Sequence, residues 1–95
     1  MDRWGPQTVP RRNDEAVWRE VEDEIFVCAP DGESMHTLRE VAADIWRACD
    51  GTNSVTDINA LLLEAYEVEP DVLSADLEAC LGDLAARDLL RGLDT

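Results

Sequence analysis

The spacing of apolar residues changes once along this chain, near residue 39. That change separates what can form strands from what can form helices. Past it, Val41, Ala42, Ile45, Trp46 and Cys49 fall at i, i+1, i+4, i+5 and i+8, one face of a helix. Ahead of it the pattern is strand-like. VWREV (17–21) alternates Val17, Arg19 and Val21 against Trp18 and Glu20. IFVC (25–28) is a short β-rich apolar run, and SMHTL (34–38) reads as a third short strand. Glu22-Asp23-Glu24 is a loop of hairpin length, and Pro30-Asp31-Gly32 is a turn in which Gly32 supplies the positive φ. The three strands make an antiparallel meander whose first and third strands are both candidates for an open edge.

The helical part is punctuated by its own caps. Thr37 and Glu40 have capping-box spacing ahead of the first helix, and Asp50-Gly51 ends it. Ser54 and Asp57 repeat the cap, followed by an apolar face of Val55, Ile58, Leu61, Leu62 and Ala65 that ends near Tyr66. Pro70 suits the first position of a third helix, whose core stripe is Leu73, Leu77, Cys80, Leu81 and Leu84. Asp88-Leu89-Leu90 follows, and Gly92 closes the chain. Residues 1–13, broken by Gly5, Pro6 and Pro10, read as a flexible tail in which Trp4 is a stray aromatic. Residues 14–95 then form one α+β domain: a three-stranded antiparallel β-meander followed by three helices, like a winged helix-turn-helix.

Such a shape suggests DNA, but the charge opposes it. The chain of 95 residues carries a formal net charge of −14 and has no lysine. The exposed positions of the third helix include Asp71, Asp76, Glu78 and Asp83, where a recognition helix needs Arg, Lys, Asn or Gln. An acidic surface repels nucleic-acid phosphates and anionic lipid headgroups alike. Without lysine there is neither a Walker-type phosphate loop nor a Schiff-base nucleophile. No apolar run reaches membrane-spanning length, and the first residues lack the apolar core of a secretory signal. Three cysteines, Cys28, Cys49 and Cys80, are odd in number and widely spaced, which fits a reducing cytoplasm.

Nothing assembles a catalytic set. His36 is the only histidine and sits on a strand, while Cys49 lies on a buried helical stripe and packs as a small hydrophobe. A Cys–His pair needs an orienting third group, and none is in sight. Metal-ligand spacing and a Gly-rich loop are both lacking, so neither metal nor cofactor is expected. An acyl carrier, also small and acidic, needs Asp-Ser-Leu at a helix start, whereas Ser74 follows Leu73 inside the third helix.

Several pieces, in order, resemble one family. They are VWREVEDEIFVC, HTLREVAADIWRACDG and SVTDINALLLEAYEVEPDVLSADLEACLGDLAARDLL. The most specific is Ala43-x-Ile45-Trp46-x-x-x-Asp50-Gly51 followed by Ser54-Val55; next is Asp76-Leu77-x-x-x-Leu81-x-x-Leu84 and then Leu89-Leu90. Residues 17–90 thereby resemble the PqqD-like family, whose fold is also called the RiPP recognition element (RiPP: ribosomally made, post-translationally modified peptide). Two positions depart from it. Arg39 stands where relatives have a capping Asn, with Thr37 able to take over the cap. Asp88 stands where relatives have Gly, and Asp tolerates left-handed geometry.

The resemblance implies a non-catalytic protein that binds the leader of a precursor peptide and presents it to a modifying enzyme, often a radical-SAM protein. The leader adds as a strand in the groove between the third strand and the third helix. On this sequence the strand side is Met35, His36, Thr37 and Leu38, and the helix side is Val72, Asp76, Ala79 and Asp83. Ala79 is small enough for close approach, and the two aspartates suit a basic leader residue. A regulatory adaptor of the same fold, binding a partner enzyme without a leader, is the alternative. A monomer or weak homodimer is expected, since an open edge can pair with its own copy. Labelled duplex DNA titrated at low salt, where electrostatic contacts are strongest, is expected to show no saturable binding; saturation would overturn the reading from charge.

Overall fold

The computed structural model describes residues 4–93. Its elements are β1 (Val9–Arg12), β2 (Val17–Val21), β3 (Glu24–Cys28), β4 (Met35–Leu38), α1 (Val41–Ala48), α2 (Val55–Ala65), α3 (Pro70–Ala86) and β5 (Leu90–Leu93). The α+β meander-and-helices architecture is present, with sheet order β2-β3-β4 and both pairings antiparallel. A second, two-stranded ribbon pairs β1 with β5.

Register fixes the two faces of the sheet. Ile25 lies opposite Glu20 and Leu38, and Val27 lies opposite Trp18 and His36. Residues directly opposite share a face, so these six side chains point the same way. Ile25 and Val27 are fully buried, and Leu38 is buried beside them in one core with Ile45, Trp46, Ile58, Leu77 and Leu81. Trp18 reaches from the β2 edge to Trp46, ring centroids 5.9 Å apart and nearly perpendicular at 83°. Such edge-to-face pairs contribute about 0.5–1.5 kcal/mol beyond area burial. Glu20 on the same face holds Arg47 of α1 through two hydrogen bonds. The opposite face of the sheet leaves Val17, Val21 and Met35 exposed.

The largest departure from the sequence reading is at the N-terminus. Of the expected tail, residues 1–3 lie outside the described residues, and the rest is built into the fold. Trp4 is buried, and Val9 to Arg12 pair in register with Leu93 to Leu90. The segment satisfies helix ends that the helices cannot satisfy themselves. Thr8 and Pro6 carbonyls accept the Val55 and Thr56 N–H groups in the first turn of α2. Arg12 Nη1 donates to the Trp46 and Arg47 carbonyls at the end of α1, at 2.9 and 3.0 Å. Asn13 bonds the Asp88 and Leu89 carbonyls after α3. Pro10 erased the strand signal in the sequence, yet it fits here because its nitrogen and carbonyl turn away from β5, toward Gly51, whose N–H the Pro10 carbonyl accepts.

Helix ends follow the sequence in two cases out of three. At α2 the Ser54 side chain accepts from Asp57 N–H, and Asp57 returns the bond to Ser54 N–H. Pro70 opens α3. At α1 the expected Thr37–Glu40 box does not form: Thr37 stays in the ladder opposite Phe26, and the N-cap is Glu40 with φ 53° and no side-chain bond. Arg39 instead donates to Glu24 across the sheet end. The α2 stripe is also narrower than expected, since Leu61 and Ala65 are exposed while Val55, Ile58 and Leu62 are buried; Cys80 of α3 is only half-buried.

After α3 the chain reverses through a Schellman turn. Leu89 N–H bonds the Leu84 carbonyl and Asp88 N–H bonds that of Ala85, with Asp88 at φ 62°. A β-carbon at positive φ and a negative charge at a helix C-terminus both oppose this geometry. Asp88→Gly is therefore expected to raise unfolding stability by about 1 kcal/mol, and Asp88→Val to lower it by more than that, read from urea midpoints. Burial pushes the Cys49 thiol up to about 12 and the Cys80 thiol up to about 11. Both cysteines should resist alkylation in the folded protein at mildly alkaline pH and react on unfolding, followed by intact mass.

Candidate functional site

Only β3 pairs with β4 in the sheet, so every second residue of Met35 to Leu38 turns its N–H and C=O toward an open edge. Alongside runs the C-terminal half of α3. Between them lies a cleft of about 280 Å³ lined by Met35, His36, Thr37, Leu38, Asp83, Leu84 and Arg87. Its walls come from distant parts of the sequence. β4 is placed by its ladder to β3, and α3 by its buried stripe Leu73, Leu77, Leu81 and Leu84.

Each side chain has a place set by the period of its element. Leu38 faces the helices and is buried at the cleft floor; Met35 and Thr37 are exposed. His36, on the same face as Leu38, points across to α3, where Arg87 Nη1 lies 3.0 Å from its Nδ1. Arg87 Nε in turn donates to Asp83 Oδ2 at 3.1 Å, one helical turn back. The chain His36–Arg87–Asp83 thus bridges the two walls. A guanidinium has only donors, so in this contact His36 Nδ1 is the acceptor.

Of the residues expected on the strand side, all four line the cleft. Of those expected on the helix side, Asp83 lines it, whereas Val72, Asp76 and Ala79 lie on the exposed surface of α3 nearer its start. The sequence reading missed Arg87 and assigned Leu84 to the core alone. The signal for Arg87 was present: Asp83 and Arg87 are an i,i+4 acid–base pair in the favourable order. Leu84 does both jobs, since it is buried and also forms part of the lining.

The thiols of Cys49 and Cys80 are held protonated by burial. Among the described residues no group of three or more His, Cys, Asp or Glu could hold a metal ion. Among the same residues no helix is long and apolar enough to cross a membrane.

The geometry has known counterparts. TbiB1, solved in complex with the TbiA(beta) leader peptide, superposes with a TM-score of 0.80 at 22% identity, covering 90% of this chain and 99% of that one. Lasso peptide synthetase B1, solved with the leader peptide, gives 0.77 at 19% identity, covering 87% and 98%. These two show the fold. The solution structure of the PqqD truncation of Methylobacterium extorquens PqqCD, described as a functional, stand-alone RiPP recognition element, gives 0.74 at 25% identity, covering 95% and 96%. No curated protein sequence gives a match. The model of one family, coenzyme PQQ synthesis protein D, matches residues 24–90, the span from the central strand β3 to the first residue of β5. With most of its length matched in this way, and with the fold of a PqqD structure, the chain belongs to the PqqD family.

Proposed function

We propose that this protein captures the leader segment of a ribosomally made precursor peptide by strand addition to β4 and presents the peptide to a modifying enzyme. The observation that carries this is the open edge of β4 facing a cleft whose other wall is α3. The presence of leader peptides in two structures of the same fold supports it. The protein contributes binding and orientation, and the chemistry belongs to the enzyme, of which a radical-SAM protein is one type. Three free thiols suit the cytosol as the place of work. A monomer or weak homodimer fits an edge strand kept open for a peptide.

Magnitudes assign the work of binding. Strand addition along the four residues of β4 makes roughly four main-chain hydrogen bonds, each worth about 0.5–1.5 kcal/mol net. That sum falls short of the roughly 8 kcal/mol of micromolar affinity once association costs are included. Apolar side chains of the leader must therefore supply the larger share, resting on Leu38, Leu84 and Met35. Val72, Asp76 and Ala79 extend the helix wall beyond the cleft, with Asp76 available to a basic leader residue.

The test is calorimetry with the leader of a short precursor encoded beside this protein. Binding in the micromolar range or tighter is expected, and loss of roughly tenfold or more when proline replaces His36 or Thr37, whichever donates at the open edge. Circular dichroism checks that the variants fold. Asp76→Lys should weaken a basic leader, more so at low salt, and Ala79→Trp should narrow the wall with little loss of stability. Unchanged affinity in all folded variants would place the site elsewhere, with β2 the next edge to examine.

A further inference from the structure

We infer that Arg87 selects an acidic side chain, Asp or Glu, at one position of the captured peptide. This rests on the strand-addition reading of the same cleft and names what the cleft selects. Arg87 is the one arginine among the lining residues, and it is held between two partners. Its Nε is taken by Asp83, and its Nη1 meets His36 at 3.0 Å, while Nη2 makes no hydrogen bond with another described residue. The side chain remains 46% exposed, so the guanidinium reaches the mouth of the cleft.

Strand geometry delivers a side chain to that place. A peptide added beside β4 turns alternate residues toward the face that carries His36 and Leu38, which is the face turned to α3. One of them then stands over the His36–Arg87 contact. A carboxylate there takes the Nη1 and Nη2 edge as a two-pronged acceptor, displacing the single neutral nitrogen of His36 while Asp83 stays on Nε. No other lining residue offers a fixed positive charge: Met35, Thr37, Leu38 and Leu84 are uncharged, and Asp83 is an acid. Without Arg87 the cleft would present the unneutralised carboxylate of Asp83 and repel an acidic peptide.

A chain of net −14 favours basic peptides over most of its surface, so an acid required at one position marks a local cation. The experiment selects a displayed random dodecapeptide library on the wild-type protein, then measures synthetic winners by calorimetry. Expected is Asp or Glu at a fixed distance from the apolar anchors. Replacing that acid by its amide should weaken binding about tenfold on wild type but cause no loss on Arg87→Gln, where the uncovered Asp83 carboxylate favours the amide, with Arg87→Lys in between. If winners are blocked by the proline variants of β4 yet show no acid preference, or keep it on Arg87→Gln, the inference is overturned and peptide capture stands. If no peptide is selected, or winners bind regardless of the β4 edge, capture itself fails and the inference falls with it.

Discussion

The structure depends on the satisfaction of helix ends by the segment that precedes the sheet. Each helix leaves several N–H or C=O groups without partners at its termini. In this chain residues 6–13 provide many of those partners: Pro6 and Thr8 at the start of α2, Arg12 at the end of α1, and Asn13 after α3. Arg12 adds a positive charge at the negative end of the α1 dipole and lays its guanidinium 5.1 Å from the Trp18 ring centroid. One side chain thereby ties the first strand, the sheet edge and the first helix together. A small domain has little core to spare, so backbone groups left unpaired at three helix ends would be hard to offset by burial.

The cleft inherits its shape from that frame. β4 is held on one side by β3 and leads directly into α1 through Glu40, whose positive φ turns the chain sharply. α3 is held by four buried leucines and by the turn at Asp88, after which Leu89 and Leu90 anchor the ribbon with β1. Both walls therefore belong to rigid elements, and the gap between them is open on the edge side. Preorganisation of this kind would lower the ordering cost of the proposed strand addition on the protein's side.

The acidity of the chain is distributed rather than cancelled. Arg11, Arg39, Arg47 and Arg87 each pair with a carboxylate, and Arg12 is bound to carbonyls. Among the described residues most of the carboxylates have no such partner, so the surface stays strongly acidic although the topology resembles DNA-binding modules. Where a DNA-binder of this topology carries a basic recognition helix, this chain carries an acidic one, and fold alone does not decide function.

The sequence by itself determined what acts within a few residues. The β-rich run of β3, the Ser54–Asp57 cap, Pro70 at the start of α3 and the tolerance of Asp88 for a left-handed turn are local, and each is present. Thr37 misled because its place in the ladder opposite Phe26 outweighs a weak cap. Tertiary structure alone decided the β1–β5 ribbon, which pairs Val9 with Leu93 across nearly the whole chain, behind two prolines that conceal any period. It alone brought Arg87 to His36, 51 positions away. Caps and periodicities are set by neighbours three or four residues off, whereas a cleft between a strand and a helix exists only once the core has fixed both, so its walls and its charge were legible only in part.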